Sequence, residues 1–222
     1  MIFVNFKTYE QGSGQKALAL ARLLEEVASA EFVKIVPVVQ TLDAEMVVDT
    51  VKLDVWIQHI DPISYGAHTG WTLPEEAIRA GIKGVFLNHS EHKFDNWDAL
   101  VKANVRCREV DLSTLIFADS IDELEKVIKL EPNYVAYEPP ELVGETEVSV
   151  AQAKPEVIAK AAKISKGAGI PLIVGAGIHS KEDVKKSLEL GATGVAVATD
   201  IVKADDPRRE LLDLVSGFGG KK

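Results

Sequence analysis

One structural unit repeats along the whole chain and limits the folds that the chain can adopt. A short apolar run rich in β-forming residues is followed by a segment with apolar residues every three or four positions, which is the spacing of an amphipathic helix. Strands that alternate with helices in this way need right-handed crossovers and form a parallel sheet. Eight such apolar runs occur: Ile2–Phe6, Val33–Val39, Val55–Gln58, Gly84–Leu87, Leu115–Ala118, Tyr134–Tyr137, Leu172–Val174 and Val195–Ala198.

The number of units predicts a closed barrel. Eight units in 222 residues leave roughly 28 residues for each, which suits a lean (β/α)8 barrel. The continuous apolar runs are typical of strands buried on both faces. An open doubly wound sheet is the competing architecture, but it usually has fewer strands and carries Gly-x-Gly-x-x-Gly after the first. We therefore predict one α/β domain, a (β/α)8 barrel, over residues 1–222.

The sequence predicts the start of two helices and the end of one of them. Ser180 followed by Glu182 and Asp183 is typical of a capped helix start, and Gly191 suits the end of that helix. Pro74 is placed as the first residue of a short helix.

Composition and charge exclude several functional classes. A formal net charge of -9 argues against nucleic acid and anionic membranes as partners. No apolar run approaches the roughly 18 residues needed to span a bilayer, and the first residues form a strand rather than a signal peptide. Because a lone cysteine, Cys107, cannot form an internal disulfide, we expect a cytoplasmic protein. An anionic ligand would need a local positive site.

Polar residues at the predicted strand ends are the candidate site, because chemistry in such barrels occurs at the carboxyl ends of the strands. Asn5 and Lys7 share one side of the first strand end, with Phe6 turned toward the helices. His89 ends the fourth strand, and Ser90 is expected to cap a following helix whose N-terminus would keep the imidazole neutral. Glu91 and His92 follow, but no second cluster has metal-ligand spacing, so no metal is expected.

The later strands add a base and a glycine-rich loop. Glu138 ends the sixth strand, where burial would raise its basicity, and two prolines stiffen the chain behind it. The segment through Ser149 is expected to form a lid. Gly175 and Gly177 follow the seventh strand and Ala198–Thr199 the eighth, which is the usual phosphate position in these barrels. His59, His68, His92 and His179 are interpreted as ordinary loop or structural histidines.

Taken together, these segments resemble the triosephosphate isomerase family, most closely its short archaeal form, whose fold is the TIM barrel. The likeness extends from the first strand to Leu214–Gly217. The matching motifs, in the family's order, are Asn5-x-Lys7, Gln58-His59-Ile60-Asp61, Gly66-Ala67-His68-Thr69-Gly70, Asn88-His89-Ser90-Glu91, Tyr137-Glu138-Pro139-Pro140-Glu141-Leu142 and Gly175-Ala176-Gly177-Ile178.

The resemblance implies a role for each catalytic residue. Glu138 would move a proton between two carbons of a triose phosphate, and neutral His89 would polarise the carbonyl oxygens. Lys7 would stabilise the enediolate and the substrate dianion, while Asn5 would help to place the oxygen. Glu91 would hold Lys7 and contact a neighbouring subunit. This proton-transfer chemistry needs no cofactor.

The resemblance also implies a phosphate grip and an assembly. Backbone groups near Val143–Gly144, Gly177 and Ala198–Thr199 would hold the phosphate. Thr69 would reach a neighbouring subunit's site, and the apolar loop from Ile63 to Trp71 suits such a contact. The resemblance favours a homotetramer, with a dimer as the alternative.

Two positions depart from the family pattern at the phosphate site. Glu145 stands in the Gly-Thr-Gly of the lid tip, and Asp200 stands where the archaeal pattern Ala-Ser-Gly has glycine. A carboxylate about 6 Å from a dianion would repel it by roughly 6 kcal/mol at an effective dielectric of 20, before salt screening. We therefore expect weakened but not absent substrate binding if Asp200 points inward.

Other functions stay open from sequence alone. A metal-dependent epimerase would need inward His and Asp pairs on several strands, and a Schiff-base aldolase would need a lysine on a middle strand. A non-catalytic relic that binds an anion or serves assembly would have lost some of Lys7, His89 and Glu138. All three are present.

Overall fold

Eight parallel strands pair in chain order, and the first also pairs with the last, so the sheet closes into a barrel. The computed structural model describes residues 1–138 and 154–219. The strands are β1 Ile2–Asn5, β2 Ile35–Val39, β3 Trp56–Ile57, β4 Gly84–Leu87, β5 Ser113–Ala118, β6 Tyr134–Tyr137, β7 Leu172–Val174 and β8 Gly194–Val197. The predicted (β/α)8 barrel is confirmed.

Helices connect the strands on the outside of the barrel. Within the two described ranges these are α1 Gly14–Glu31, α2 Thr41–Val48, α3 Pro74–Arg79, α4 Trp97–Glu109, α5 Ile121–Val127, α6 Pro155–Gly167, α7 Lys181–Glu189, α8 Thr199–Val202 and α9 Pro207–Ser216. The predicted start of α7 is confirmed, because Ser180 and Asp183 cap each other's backbone N–H. Pro74 is the first residue of α3, as predicted.

Two apolar layers follow from the alternation of side chains along each strand. An inner cluster fills the barrel, and it includes Phe3, Trp56 and Phe86, whose rings contact one another at centroid distances of 5.0 to 6.4 Å. An outer cluster packs the strands against the helices and includes Phe6. Because side chains fill the barrel interior, a ligand would bind at the mouth of the barrel rather than inside it.

The inner layer is tightest where β3 meets β4. A Cβ placed on Gly84 would lie 2.2 Å from Cε2 of Trp56, far inside van der Waals contact. Gly84 and Trp56 are also register partners in the sheet. The glycine therefore makes room for the indole in the barrel interior.

In the part of the chain that the structure describes, no helix is both long enough and apolar enough to cross a lipid bilayer.

Candidate functional site

A cavity of about 400 Å³ opens at the carboxyl ends of the strands, where the sequence predicted the site. Most of the predicted site residues meet there although they are far apart in the chain. The predicted residues that line the cavity are Asn5, Lys7, His89, Glu91, Glu138, Gly177, Ala198 and Thr199.

Three further predicted site residues are not among those that the structure places at the cavity. Val143 and Gly144, together with Glu145 and the expected lid through Ser149, lie outside the described residues. Thr69 lies on an exposed loop and does not line the cavity.

Lys7 is held at the mouth of the barrel by three contacts. Its backbone adopts the left-handed conformation with φ of 49°, and its N–H donates to Oδ1 of Asn5 at 3.0 Å. The side-chain amide of Gln58 donates to the Lys7 carbonyl at 2.8 Å. The ammonium Nζ lies 2.9 Å from Oε1 of Glu91. Asn5 and Glu91 therefore fix the backbone and the charged end of Lys7, respectively.

The loop after β4 differs from its prediction. Ser90 does not cap a helix, because the next helix, α4, begins only at Trp97 and is capped by the side chain of Asn96. The chain instead makes a tight turn closed by the N–H of His92, which donates to the His89 carbonyl at 2.8 Å. The prediction that a helix N-terminus keeps His89 neutral therefore named the wrong cause.

Burial is what keeps His89 neutral. Desolvation lowers the pKa of His89 to about 4, the charge of Lys7 also lowers it, and the charge of Glu91 acts in the opposite direction. The backbone N–H of Glu91 points at Nδ1 of the imidazole, at 3.1 Å. Since Nδ1 accepts this hydrogen bond, the single ring proton of the neutral form resides on Nε2.

Glu138 lies next to His89 in the cavity lining. The residue is only 6% exposed, and burial raises the pKa of Glu138 to about 7, although a hydrogen bond from Ser90 and the charge of Lys7 act to lower it. The Ser90 hydroxyl donates to Oε2 of Glu138 at 2.8 Å. The same oxygen lies 3.8 Å from Nε2 of His89. A carboxylate that titrates near neutrality thus lies beside an imidazole that carries its proton on the facing nitrogen.

The loops after β7 and β8 form another part of the cavity lining. Gly177 has φ of 61°, a conformation that favours glycine. At the start of α8, Thr199 and Asp200 have N–H groups without an intrahelical acceptor. The Thr199 hydroxyl is 3.0 Å from the hydroxyl of Tyr9, which joins this part of the lining to the loop after β1.

Sequence reasoning missed three residues that contact the predicted set. Tyr9 follows Lys7 by two positions and lines the cavity, as does His179. Ser90 was assigned to a helix cap but contacts the carboxylate of Glu138 instead. Tyr9 could have been found because it is close to Lys7 in the chain, and Ser90 because it follows His89. Nothing in the sequence singled out His179.

Asp200, the departure from the family pattern, also lines the cavity. Its Oδ2 lies 3.1 Å from Nδ1 of His179, and its side chain is 41% exposed. The backbone N–H of His179 donates to Asp183 at 3.1 Å, within the cap of α7. The carboxylate therefore contacts a histidine whose own backbone is fixed to a helix start.

This arrangement suits proton transfer next to a carbonyl group. Such a reaction needs a base of nearly neutral pKa, a hydrogen-bond donor for the carbonyl oxygen and a cation for the developing negative charge. Glu138, His89 and Lys7 are groups of these three kinds in the lining of one cavity. Such a reaction transfers only protons, so it requires no redox group.

Comparisons with known proteins agree with this geometry. The family model described as Triosephosphate isomerase matches residues 1–217. The chain is 41% identical over 218 residues to a triosephosphate isomerase of Metallosphaera sedula, covering 98% of this chain and 95% of that protein. It is 39% identical over 220 residues to one from Methanobrevibacter smithii, covering 97% of each. The chain belongs to the triosephosphate isomerase family, a family of isomerases.

Proposed function

We propose that this chain interconverts dihydroxyacetone phosphate and glyceraldehyde 3-phosphate through an enediolate, and so serves glycolysis and gluconeogenesis. The observation that carries the proposal is the facing pair of Glu138 and His89. Their Oε2 and Nε2 atoms are 3.8 Å apart, and Lys7 lines the same cavity. A triose bound next to this pair would meet a base and a proton donor at once.

Glu138 acts as the base. Its carboxylate removes a proton from C1 of dihydroxyacetone phosphate. His89 moves a proton from the oxygen on C1 to the oxygen on C2, and the protonated Glu138 returns a proton to C2, which gives the aldehyde. A base is most effective when its pKa lies close to the working pH, and burial raises the pKa of Glu138 to about 7. To reach a substrate carbon, the carboxylate gives up its hydrogen bond from Ser90.

His89 acts as the electrophile. Its neutral ring donates from Nε2 to the carbonyl oxygen and strengthens that hydrogen bond as negative charge develops. The N–H of Glu91 at Nδ1 holds the ring in this tautomer. A glutamate base paired with a neutral histidine is the pattern already established for triosephosphate isomerases.

Lys7 supplies positive charge to the enediolate and the phosphate, and Asn5 positions it through the bond to its backbone N–H. This charge is local, which is how a chain of net charge -9 can bind a dianion. Glu91 orients the Lys7 ammonium group through its contact at 2.9 Å.

We assign the phosphate to the loops after β7 and β8. Gly177 allows close approach of the chain to a ligand, and Ala198 and Thr199, whose backbone N–H groups would bind the anion, line the same cavity. Val143 and Gly144 are added to the proposed phosphate site on the basis of the family resemblance alone. A non-catalytic relic is disfavoured, because it would have no reason to keep Lys7, His89 and Glu138 on one cavity.

A coupled assay of glyceraldehyde 3-phosphate isomerisation tests the proposal. The parent chain should be active, and Glu138→Asp should lower kcat at least about a hundredfold, because the carboxylate is withdrawn by one methylene. Glu125→Asp, on the exposed face of α5, is the matched control and should leave kcat unchanged. Full activity of Glu138→Asp would remove this residue from the mechanism.

We also propose a cytoplasmic homo-oligomer, with a tetramer favoured over a dimer. The loop that carries Thr69 exposes Tyr65 and Trp71, which are 69% and 54% accessible. Large aromatic side chains at a loop tip are typical of subunit contacts. Sedimentation velocity distinguishes the two states, and a monomer at micromolar concentration would contradict both.

A further inference from the structure

We propose that His179 is a positioning residue that holds the Asp200 carboxylate at the rim of the cavity and keeps its charge away from the phosphate of the substrate. This inference rests on the proposed function for the identity of the substrate. Its physical basis is the contact between two loops, the one after β7 and the one after β8.

The contact is well placed for such a role. Nδ1 of His179 lies 3.1 Å from Oδ2 of Asp200, and both residues line the cavity that holds Lys7 and Glu138. Asp200 is the second residue of α8, directly after Thr199 of the proposed phosphate site. A side chain at this point could turn toward a bound dianion or away from it.

His179 is fixed more firmly than Asp200. Its N–H donates to Asp183 at 3.1 Å, and the carboxylate of Asp183 also accepts from the N–H and the hydroxyl of Ser180. Asp183 is itself buried within α7. The imidazole therefore projects from a rigid helix start, whereas the Asp200 side chain is 41% exposed. The anchored histidine is therefore suited to set the position of the Asp200 carboxylate.

Other charges near this pair do not replace the histidine. Lys203, Arg209, Glu210, Asp205 and Asp206 line a second, neighbouring cavity together with His179 and Asp200. Lys203 has its ammonium group 5.4 Å from the centre of the Tyr9 ring, and Arg209 pairs with Glu210 at 2.9 Å. Both cations thus have contacts of their own, whereas His179 contacts the Asp200 carboxylate at 3.1 Å.

The consequence is a specific pattern of interaction between mutations. Without His179, the Asp200 carboxylate is free to turn toward the phosphate, and repulsion weakens binding. Without Asp200, His179 has nothing to position. Loss of the histidine should therefore be harmful only while the aspartate is present.

The test compares His179→Leu, Asp200→Gly and the double variant with the parent, at one pH and ionic strength. For His179→Leu we expect KM to rise about tenfold, since a partly exposed carboxylate is screened, while kcat changes less than twofold. The KM of Asp200→Gly should stay within twofold of the parent value. The double variant should have the KM of Asp200→Gly rather than that of His179→Leu. If the double variant keeps the high KM, or if His179→Leu leaves KM unchanged, the inference is wrong.

Two further measurements separate positioning from damage to the fold. His179→Asn keeps a side-chain N–H close to the position of Nδ1 and should retain the parent KM. Isomerisation of unphosphorylated glyceraldehyde should be insensitive to all of these variants, because no dianion is present. If His179→Leu does not fold, His179→Ala takes its place, with melting temperature as the criterion.

A binding measurement distinguishes failure of this inference from failure of the proposed function. NMR titration with inorganic phosphate needs no turnover, and the dissociation constant should follow the same pattern as KM. An inactive parent that nevertheless shows this pattern would contradict the proposed function alone. An active parent whose phosphate affinity is the same with and without His179 would contradict the inference alone.

Discussion

Nε2 of His89 and Oε2 of Glu138 lie 3.8 Å apart at the mouth of the barrel, and burial shifts the two pKa values in opposite directions. The pKa of His89 is lowered to about 4, and the pKa of Glu138 is raised to about 7. Desolvation disfavours the charged form of each, which is why one environment has opposite effects on an acid and a base. Near pH 6, both side chains are therefore mainly neutral, and above pH 7 only Glu138 has ionised.

Removal of the Ser90 hydroxyl should shift the pH profile. In Ser90→Ala the ionised form of Glu138 loses a hydrogen bond, so the pKa of Glu138 should rise further, by about one unit. Because the base must be ionised, the acid limb of the kcat/KM profile should move to higher pH. Ser216→Ala, at the end of α9, is the control. A limb that stays in place or moves to lower pH would contradict the contact's role.

Removal of the Lys7 charge should lower kcat/KM by about a hundredfold or more, the usual loss when a group that stabilises transition-state charge is deleted. Lys7→Met keeps the length of the side chain and leaves Glu91 unpaired. Lys129→Met, an exposed lysine at the opposite end of the barrel, should have no effect. Steady-state kinetics of both variants measure the change in kcat/KM. Equal activities of Lys7→Met and Lys129→Met would count against a role for Lys7.

Glu138→Gln should stabilise the protein at alkaline pH. Between pH 4.5 and about 7 the folded state holds a proton that the unfolded chain has lost, so the stability contributed below pH 4.5 disappears as the pH rises. The difference corresponds to about 3 kcal/mol at pH 8. Urea unfolding of parent and variant at one protein concentration should show this gap at pH 8 and a small one at pH 4.5. A gap independent of pH would contradict the raised pKa of Glu138.

The titration of His89 does not disturb this comparison. Its pKa is about 4 in the folded protein and 6.5 in the unfolded chain, so its contribution is present above pH 6.5 and is lost as the pH falls through 4. At pH 8 His89 is neutral in the folded and the unfolded chain, so its titration does not create the gap expected there between the parent and Glu138→Gln.

Gly84→Ala should destabilise the barrel by about 1–3 kcal/mol, because the new methyl group would overlap the Trp56 indole. Trp56→Leu in the same chain should recover part of the loss by making room. Gly167→Ala, at the end of α6 with no atom within 4 Å of the added carbon, should not destabilise the protein. Urea unfolding measures all four proteins. An unaffected Gly84→Ala would mean that this contact is not tight.

Local chemistry predicted most of the barrel. Repeated apolar runs located all eight strands, since a strand buried on both faces needs a continuous apolar stretch. The cap of α7 was predictable because it involves residues only three apart, Ser180 and Asp183. The role of Ser90 was not, because a serine before acidic residues is also typical of a helix start. Its hydroxyl instead bonds to Glu138, which is 48 positions further along the chain.

The side chains at the strand ends could be predicted from the sequence, because strand order and the two-residue alternation are local properties. Lys7, His89 and Glu138 could be named on that ground, together with the resemblance. How these groups meet depends on long-range closure of the barrel. Closure of the sheet brings Lys7 to Glu91, 84 residues away, and His179 to Asp200. Burial, which exists only once the barrel has closed, sets the pKa values of His89 and Glu138 on which the proposed proton transfer depends.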